Sequence, residues 1–342
     1  MDSLTQGLLG AAAAQALMGR RVKKAWLVGA VGGLLPDVDV FVRSASDPLL
    51  AIEVHRQFTH ALVFIPLGGL LASLPWILQK RYRSEWKPIL LAAIAAYGTH
   101  GLLDACTTYG TQLFWPFSSY RVAWDLISIV DPIFTLALLI GVIGSARGDR
   151  RRPAAIALGF CAAYLLICFI QEERASDVRN IIAEARGHDL VRADAFPTIG
   201  NNLVWRSLYQ SGDSLFADRI RITWMGRAKW TAGSSFAALS DPPRSAHADA
   251  RIRRDFERFS WFSAGWVARD PADSTVYADA RYSLRTDEFD PIWGVRFHPG
   301  ERVPTEWVNR SRDRSISWSD LWLEVTGKDS SYMPVPVSGS ER

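Results

Sequence analysis

Four stretches of the chain, 61–79, 88–103, 126–144 and 154–170, are almost continuously apolar and 16 to 19 residues long. Each approaches the roughly 20 residues that an α-helix needs to cross a hydrocarbon core of about 30 Å. Two earlier runs are weaker. Residues 4–18 are short and rich in Ala and Gly, and residues 25–42 are interrupted by Pro36-Asp37-Val38-Asp39. Such segments read as short, tilted or partly inserted helices, buried against the stronger ones. The pattern predicts a polytopic helical membrane domain of about six hydrophobic segments over residues 1–171.

After Ile170 the pattern changes. QEERASDVRNIIAEARGHD reads as a helix leaving the membrane. Beyond it LVWRSLYQ, LFADRIRITWM, STVYADARYSL and WGVRFHP alternate apolar and polar positions between turn signals. That period of two predicts a soluble, mainly antiparallel β domain over 172–335, followed by a disordered tail, 336–342. The fold class is therefore α+β. The many Trp residues of this half read as core or interfacial anchors, and His188, His247 and His298 show no ligand spacing.

Charge divides the chain in the same way. Residues 1–171 carry 15 of the 39 Lys/Arg and 10 of the 35 Asp/Glu, so a near-zero mean hydropathy averages an apolar half and a charged one. The basic residues cluster as Arg20/Arg21/Lys23/Lys24, Lys80/Arg81/Arg83/Lys87 and Arg147/Arg150/Arg151/Arg152, which fall in alternate loops. Their placement beside apolar runs indicates membrane topology and argues against nucleic acid as a partner. With these loops on the cytoplasmic side, residues 43–59, 104–125 and everything after Ile170 face outward. The opening MDSLTQGLLGAAAAQA lacks the positive start of a signal peptide and is expected to be retained. Three cysteines make no disulfide framework.

Ionisable residues within a membrane domain are costly and are candidates for function. Here they gather toward one face. Asp2 and Gln6 start the first segment, and Asp37 and Asp39 end the second. His55 and His60 lead into the third, His100 and Asp104 end the fourth, and Asp125 and Asp131 open the fifth. Asp2/Gln6 and His100/Asp104 are i,i+4 pairs that share a helix face. Mixed His and carboxylate ligands suit Zn²⁺, Mn²⁺ or Fe²⁺, and bridging carboxylates suit two-metal sites. Other readings stand beside this one. An Asp at a helix start is often a cap, and Asp131-Pro132 fits a local break whose carboxylate holds freed backbone amides. Transporters also concentrate carboxylates, although usually near the midplane.

The opening MDSLTQGLLGAA, LLPDVD, HRQFTH, THGLLDACTTYGTQLFWPFS and DLISIVDP, in this order over residues 1–170, resemble the YdjM-like inner-membrane metal-dependent hydrolases. The resemblance implies a metal site of Asp37, Asp39, His55, His60, His100 and Asp104, with Asp125 and Asp131 nearby. The family has been grouped distantly with zinc-dependent phospholipase C and P1-type nucleases, which implies phosphoester hydrolysis by analogy. Many relatives read Thr-His where this chain has Thr5-Gln6, so an amide oxygen stands where an imidazole is common. Gln57 and Ala61 likewise stand where Gly and Ser are common.

Together these readings give a hydrolase in the bacterial-type inner membrane, acting at the outer face on a lipid or lipid-linked ester. One or two divalent ions, zinc before manganese or iron, would be held by Asp37, Asp39, His55, His60, His100 and Asp104, with Asp2 and Gln6 as further candidates. Asp125 or Asp131 would accept a proton, and Arg121 and Arg56 would face a substrate phosphate or carboxylate. The alternatives are an ion or metal transporter and a structural or regulatory membrane protein held together by its metal. The sequence leaves the substrate and the oligomeric state open.

Overall fold

The computed structural model describes residues 1–242, 249–311 and 317–336, and divides them into two compact units. One comprises Met1–Val42 and Val54–Phe169, the other Arg43–Glu53 and the chain from Ile170. The helices are α1 (Ser3–Met18), α2 (Ala25–Leu34), α3 (Leu50–Val54), α4 (Ile65–Ile77), α5 (Trp86–Ala105), α6 (Pro132–Ala146), α7 (Arg152–Ala185), α8 (Ala250–Phe262) and α9 (Trp318–Thr326).

In the N-terminal unit the expectation of about six hydrophobic segments, four of them spanning, holds only in part. Two helices are long and apolar enough to cross a membrane, Lys80–Ala105 and Arg152–Ala185. A third is added if Leu50–His60 and Leu62–Ile77, bent by 55°, form one span. With 16 and 10 residues, α1 and α2 rise only about 24 and 15 Å, well short of the hydrocarbon core. Their Ala and Gly serve packing instead. Ala12, Ala14, Ala25 and Val28 are buried, and a Cβ on Gly10 would overlap the Gly29 carbonyl and the Gly33 backbone. Small residues of this kind let helix backbones touch. The run 126–144 also differs from a single span. Its helix starts only at Pro132, where Asp131 caps it by accepting from Phe134 N at 3.0 Å, and α6 has 15 residues.

Among the described residues the C-terminal unit contains ten strands: β1 (Arg192–Pro197), β2 (Val204–Ser211), β3 (Ser214–Arg221), β4 (Lys229–Thr231), β5 (Ser235–Ala237), β6 (Val267–Asp270), β7 (Asp273–Asp279), β8 (Trp293–Phe297), β9 (Thr305–Asn309) and β10 (Met333–Pro334). They form two antiparallel sheets. One runs β1-β2-β3-β4-β10, with β5 also on β3, and the other runs β6-β7-β8-β9. Strand β2 is covered on both faces. Trp205 packs with Ala175, Val178 and Ile182 of α7, while Leu208 joins Trp266, Ala268, Val276 and Ala278. Buried Arg206 donates to the carbonyls of Ala280, Arg285, Thr286 and Glu288 at 2.7–3.2 Å, and burial pushes its pKa down to about 10.

Helix α8 lay outside the expected strands. Its buried Ile252, Phe256, Phe259 and Phe262 follow helical spacing, a period that its charged residues obscure. His188 packs on Phe216 and sits 3.0 Å from the Tyr209 hydroxyl, and half-exposed His298 pairs with Glu306. His247 lies outside the described residues, as do residues 337–342 of the expected tail.

The excursion 43–53 belongs to this second unit through Arg258. Its guanidinium donates to both oxygens of Asp47 (2.9 and 2.9 Å) and of Glu53 (2.6 and 2.7 Å), and to Asp255 at 3.0 Å. Burial alone would raise the Asp47 carboxyl, but Arg258 outweighs it and holds the group below its usual value. A lowered folded pKa contributes stability above the unfolded value, near 4, that is lost as pH falls through the folded one. Arg258→Ala should remove that contribution. Unfolding measured from pH 6 to pH 3 should then show a shallower acid loss in the variant than in the parent.

Candidate metal centre

Asp37 and Asp39 lie on the 3₁₀ turn Leu35–Phe41 that continues directly from α2. His60 closes a second 3₁₀ turn, Phe58–His60, and His100 and Asp104 share the inner face of α5 near its end. His60, His100, Asp104 and Asp39 are all buried, and Asp37 is partly so. The six residues fall into two overlapping groups. Asp37, His60, His100 and Asp104 bring one donor atom each within 4.8 Å of one another, as do Asp37, Asp39 and His55.

Both buried rings are oriented from behind. His100 Nδ1 lies 2.6 Å from the Gly33 carbonyl, which can only accept, so Nδ1 carries the hydrogen and the neutral ring keeps its lone pair on Nε2. His60 Nδ1 faces Asp39 Oδ2 at 3.2 Å and the Thr59 hydroxyl at 2.9 Å, and that hydroxyl itself donates to Asp39. Among the described residues neither Nε2 has a hydrogen-bond partner. His60 Nε2 lies 3.6 Å from Asp37 Oδ1 and 3.3 Å from Asp104 Oδ2, and the distances for His100 are 3.3 and 3.5 Å.

These distances test whether a metal fits. Four of the six donor–donor edges are 3.3–3.6 Å and the donor atoms all lie within 4.8 Å of one another. A regular tetrahedron with edges of about 3.4 Å has its centre roughly 2.1 Å from each corner, the length of zinc bonds to nitrogen and oxygen. Electrostatics agree. Burial raises the Asp37 carboxyl, but the neighbouring His100 and His60 rings outweigh burial and hold it well below the usual range. Asp39 is held down in the same way by His55 and His60. Two imidazole nitrogens and two carboxylates that converge on one buried space form a donor set that would suit a divalent cation. Asp37 belongs to both groups, which is the arrangement of a carboxylate that bridges two ions.

Around this centre, Asp104 Oδ1 accepts from the Met1 amino group at 2.6 Å and from Gln6 Nε2 at 2.9 Å, while Arg56 Nε lies 3.1 Å from Asp104 Oδ2. Gln6 thus reaches the site through Asp104, with its amide nitrogen toward the carboxylate. Arg56 also donates to Thr107 and lies over the Tyr109 ring, 4.6 Å from its centroid. Thr59 and the Gly33 carbonyl, which orient the rings, were missed in the sequence. The Thr of HRQFTH was the available signal, because a hydroxyl beside a ligating His commonly orients it.

Gly101 lets the His60 backbone reach α5, since a Cβ there would lie 2.5 Å from the His60 carbonyl oxygen. Gly101→Ala should displace His60 and weaken metal binding by about 10- to 100-fold, the usual cost of disturbing a ligand's support. Titration of the apoprotein with Zn²⁺ would measure it.

Other residues named from sequence lie elsewhere. Asp2 caps α1, accepting from Thr5 N at 3.0 Å and from the Thr5 hydroxyl at 2.6 Å. Asp131 caps α6 and takes the Tyr164 hydroxyl at 2.8 Å. Arg121 donates to the Tyr109 and Gly110 carbonyls and lies against Tyr109, 5.0 Å from the ring centroid. Asp125 has a left-handed backbone, φ 53°, beside the end of α5, where Trp124 N and Leu126 N donate to the Ala105 and Cys106 carbonyls.

Residues 1–175 match the model of a family described as YdjM inner membrane protein. The chain is also 29% identical over 112 residues to a protein of Bacillus subtilis (strain 168) described as "Uncharacterized protein YfhP". That match covers 32% of this chain and 33% of the relative, so the chain spans about a third of that protein's length. No solved structure matches. A family match over half of the chain, taking in the whole His/Asp cluster, means that this protein belongs to the YdjM inner membrane protein family.

Proposed function

We propose that the chain is a membrane-embedded, metal-dependent hydrolase that cleaves a phosphoester or other ester of a lipid or lipid-linked substrate at the outer face of the inner membrane. The observation that carries this reading is the pair of ligand groups sharing Asp37, with the buried, unpartnered Nε2 atoms of His60 and His100 turned toward it. Asp37, His60, His100 and Asp104 would hold one divalent ion, zinc by the donor set, and Asp37, Asp39 and His55 a second. Bound there, the ions would supply Lewis acidity toward water and the scissile ester.

The chain's own residues prepare the centre. Asp39 and the Gly33 carbonyl fix the His60 and His100 tautomers, and Arg56 offsets the charge of Asp104. The Asp131 oxygens are engaged by Phe134 N and Tyr164, and Asp125 is kept as the proposed proton acceptor on the sequence reading alone. The orientation rests on the basic residues at 80–87 and 147–152 and takes the short apolar helix α6 as the segment that returns the chain across the membrane between α5 and α7. The His/Asp end of α5 and the C-terminal unit would then lie outside.

The test is hydrolysis by purified protein in lipid nanodiscs. Substrates would be bis(p-nitrophenyl) phosphate, p-nitrophenyl phosphate and short-chain phospholipids, assayed before and after chelation and after Zn²⁺ or Mn²⁺ is restored. Turnover that disappears with the metal, returns with it and is reduced by Asp125→Asn is expected. Metal flux in proteoliposomes without turnover of any ester would replace this reading with transport. Unfolding on chelation, with no turnover beforehand, would replace it with a structural metal.

A further inference from the structure

The segment Thr223-Trp224-Met225-Gly226-Arg227, between β3 and β4, exposes its two large apolar side chains. Met225 is fully exposed and Trp224 half so. An exposed Trp-Met pair at a turn needs a reason, because it adds nothing to the core. The side chains that fasten this turn supply one.

Arg174 of α7 donates to the carbonyls of Thr223 (3.0 Å), Trp224 (3.3 Å) and Gly226 (2.9 Å). One turn earlier on α7, Gln171 donates to the carbonyls of Asn202 and Ile222. The Trp224 indole donates to Asn202 Oδ1 at 3.1 Å, which fixes the ring beside the same helix. Gln171 is the first polar residue after the apolar run 154–170 of α7, the helix with the strongest case for crossing a membrane. Leu166, Phe169 and Ile170, near the end of that run, are exposed as lipid-facing residues would be, while Cys168 between them is buried. The turn is therefore tied to α7 within a turn or so of the point where the helix leaves the hydrocarbon. Exposed Arg227 and Lys229 follow the apolar pair directly, placed to meet anionic headgroups.

We infer that the turn 223–227 is a membrane-interface anchor, with Trp224 and Met225 seated among the lipid headgroups and Arg227 and Lys229 on their phosphates. Trp belongs at that depth because its ring is apolar and its N–H is polar. The anchor would set the C-terminal unit on the bilayer surface independently of any chemistry at the His/Asp cluster.

The test uses the full chain in nanodiscs of phosphatidylethanolamine and phosphatidylglycerol. A Met225→Cys variant is labelled with an environment-sensitive maleimide. The three native cysteines are buried, and the parent labelled in parallel gives the background. The comparison site is Asp213→Cys, in the exposed turn between β2 and β3. It lies at the other end of the eight-residue strand β3, about 25 Å away at roughly 3.3 Å per residue. The expected result is blue-shifted emission at position 225 with loss of fluorescence when lipids carry spin labels near the headgroup, and neither effect at position 213. Emission at 225 as in water, without quenching, overturns the inference. A blue shift at 225 that lipid spin labels do not quench overturns it in favour of a protein partner. Equal quenching at both positions overturns it as well.

Discussion

Asp37→Ala is expected to lower metal content more than any other single change in the cluster, weakening both positions, whereas His55→Ala weakens one. The difference follows from sharing. Asp37 is common to the two donor groups, while His55 belongs to one. Asp37 also lies 3.3 and 3.6 Å from the two Nε2 atoms, so its loss leaves two imidazoles and Asp104 for one position and only Asp39 and His55 for the other. A position reduced to two protein ligands falls below the three that a catalytic zinc site keeps. Elemental analysis of dialysed protein should therefore rank the parent above His55→Ala, and His55→Ala above Asp37→Ala. Equal metal loss in the two variants would argue for a single ion.

Arg206→Met should destabilise the C-terminal unit with little effect on metal content. Arg206 is buried and its fork holds the carbonyls of Ala280, Arg285, Thr286 and Glu288, which close the segment after β7. Methionine fills similar space but donates nothing. A buried acceptor left without a donor costs roughly 1–3 kcal/mol, so even with water reaching some of the four the loss should be about 3 kcal/mol. For a unit of this size that is a fall in melting temperature of about 6–12 °C. Calorimetry in detergent would read it, and Arg206→Lys should recover only part, because an ammonium cannot span four acceptors as a planar fork does.

The two halves were legible to different depths. The strands came through because turn signals bound short β-prone runs such as LVWRSLYQ and because period-two alternation survives in WGVRFHP; these fall on β2 and β8. The His/Asp cluster came through because its ligands sit in short local patterns. His100 and Asp104 are one helical turn apart, and PDVD and HRQFTH each keep their ligands within a few residues. Asp2 and Asp131 show where this stops. A carboxylate at a helix start looks the same in sequence whether it caps the helix or holds a metal, and here both cap. Short buried helices resemble short spans for a similar reason. The Ala and Gly of α1 and α2 are apolar enough for lipid but are used in backbone contact. The attachment of residues 43–53 to the C-terminal unit depends on Arg258, over two hundred positions away, and no local pattern records it.

The central claim is that His60, His100, Asp37 and Asp104 hold a metal that hydrolysis requires. The most direct measurement takes metal content, melting temperature and phosphoester turnover on the same preparations of the parent and His100→Ala. Bound metal and turnover in the parent, both lost in a variant that remains folded, is the predicted result. Full metal and full turnover in His100→Ala would contradict it.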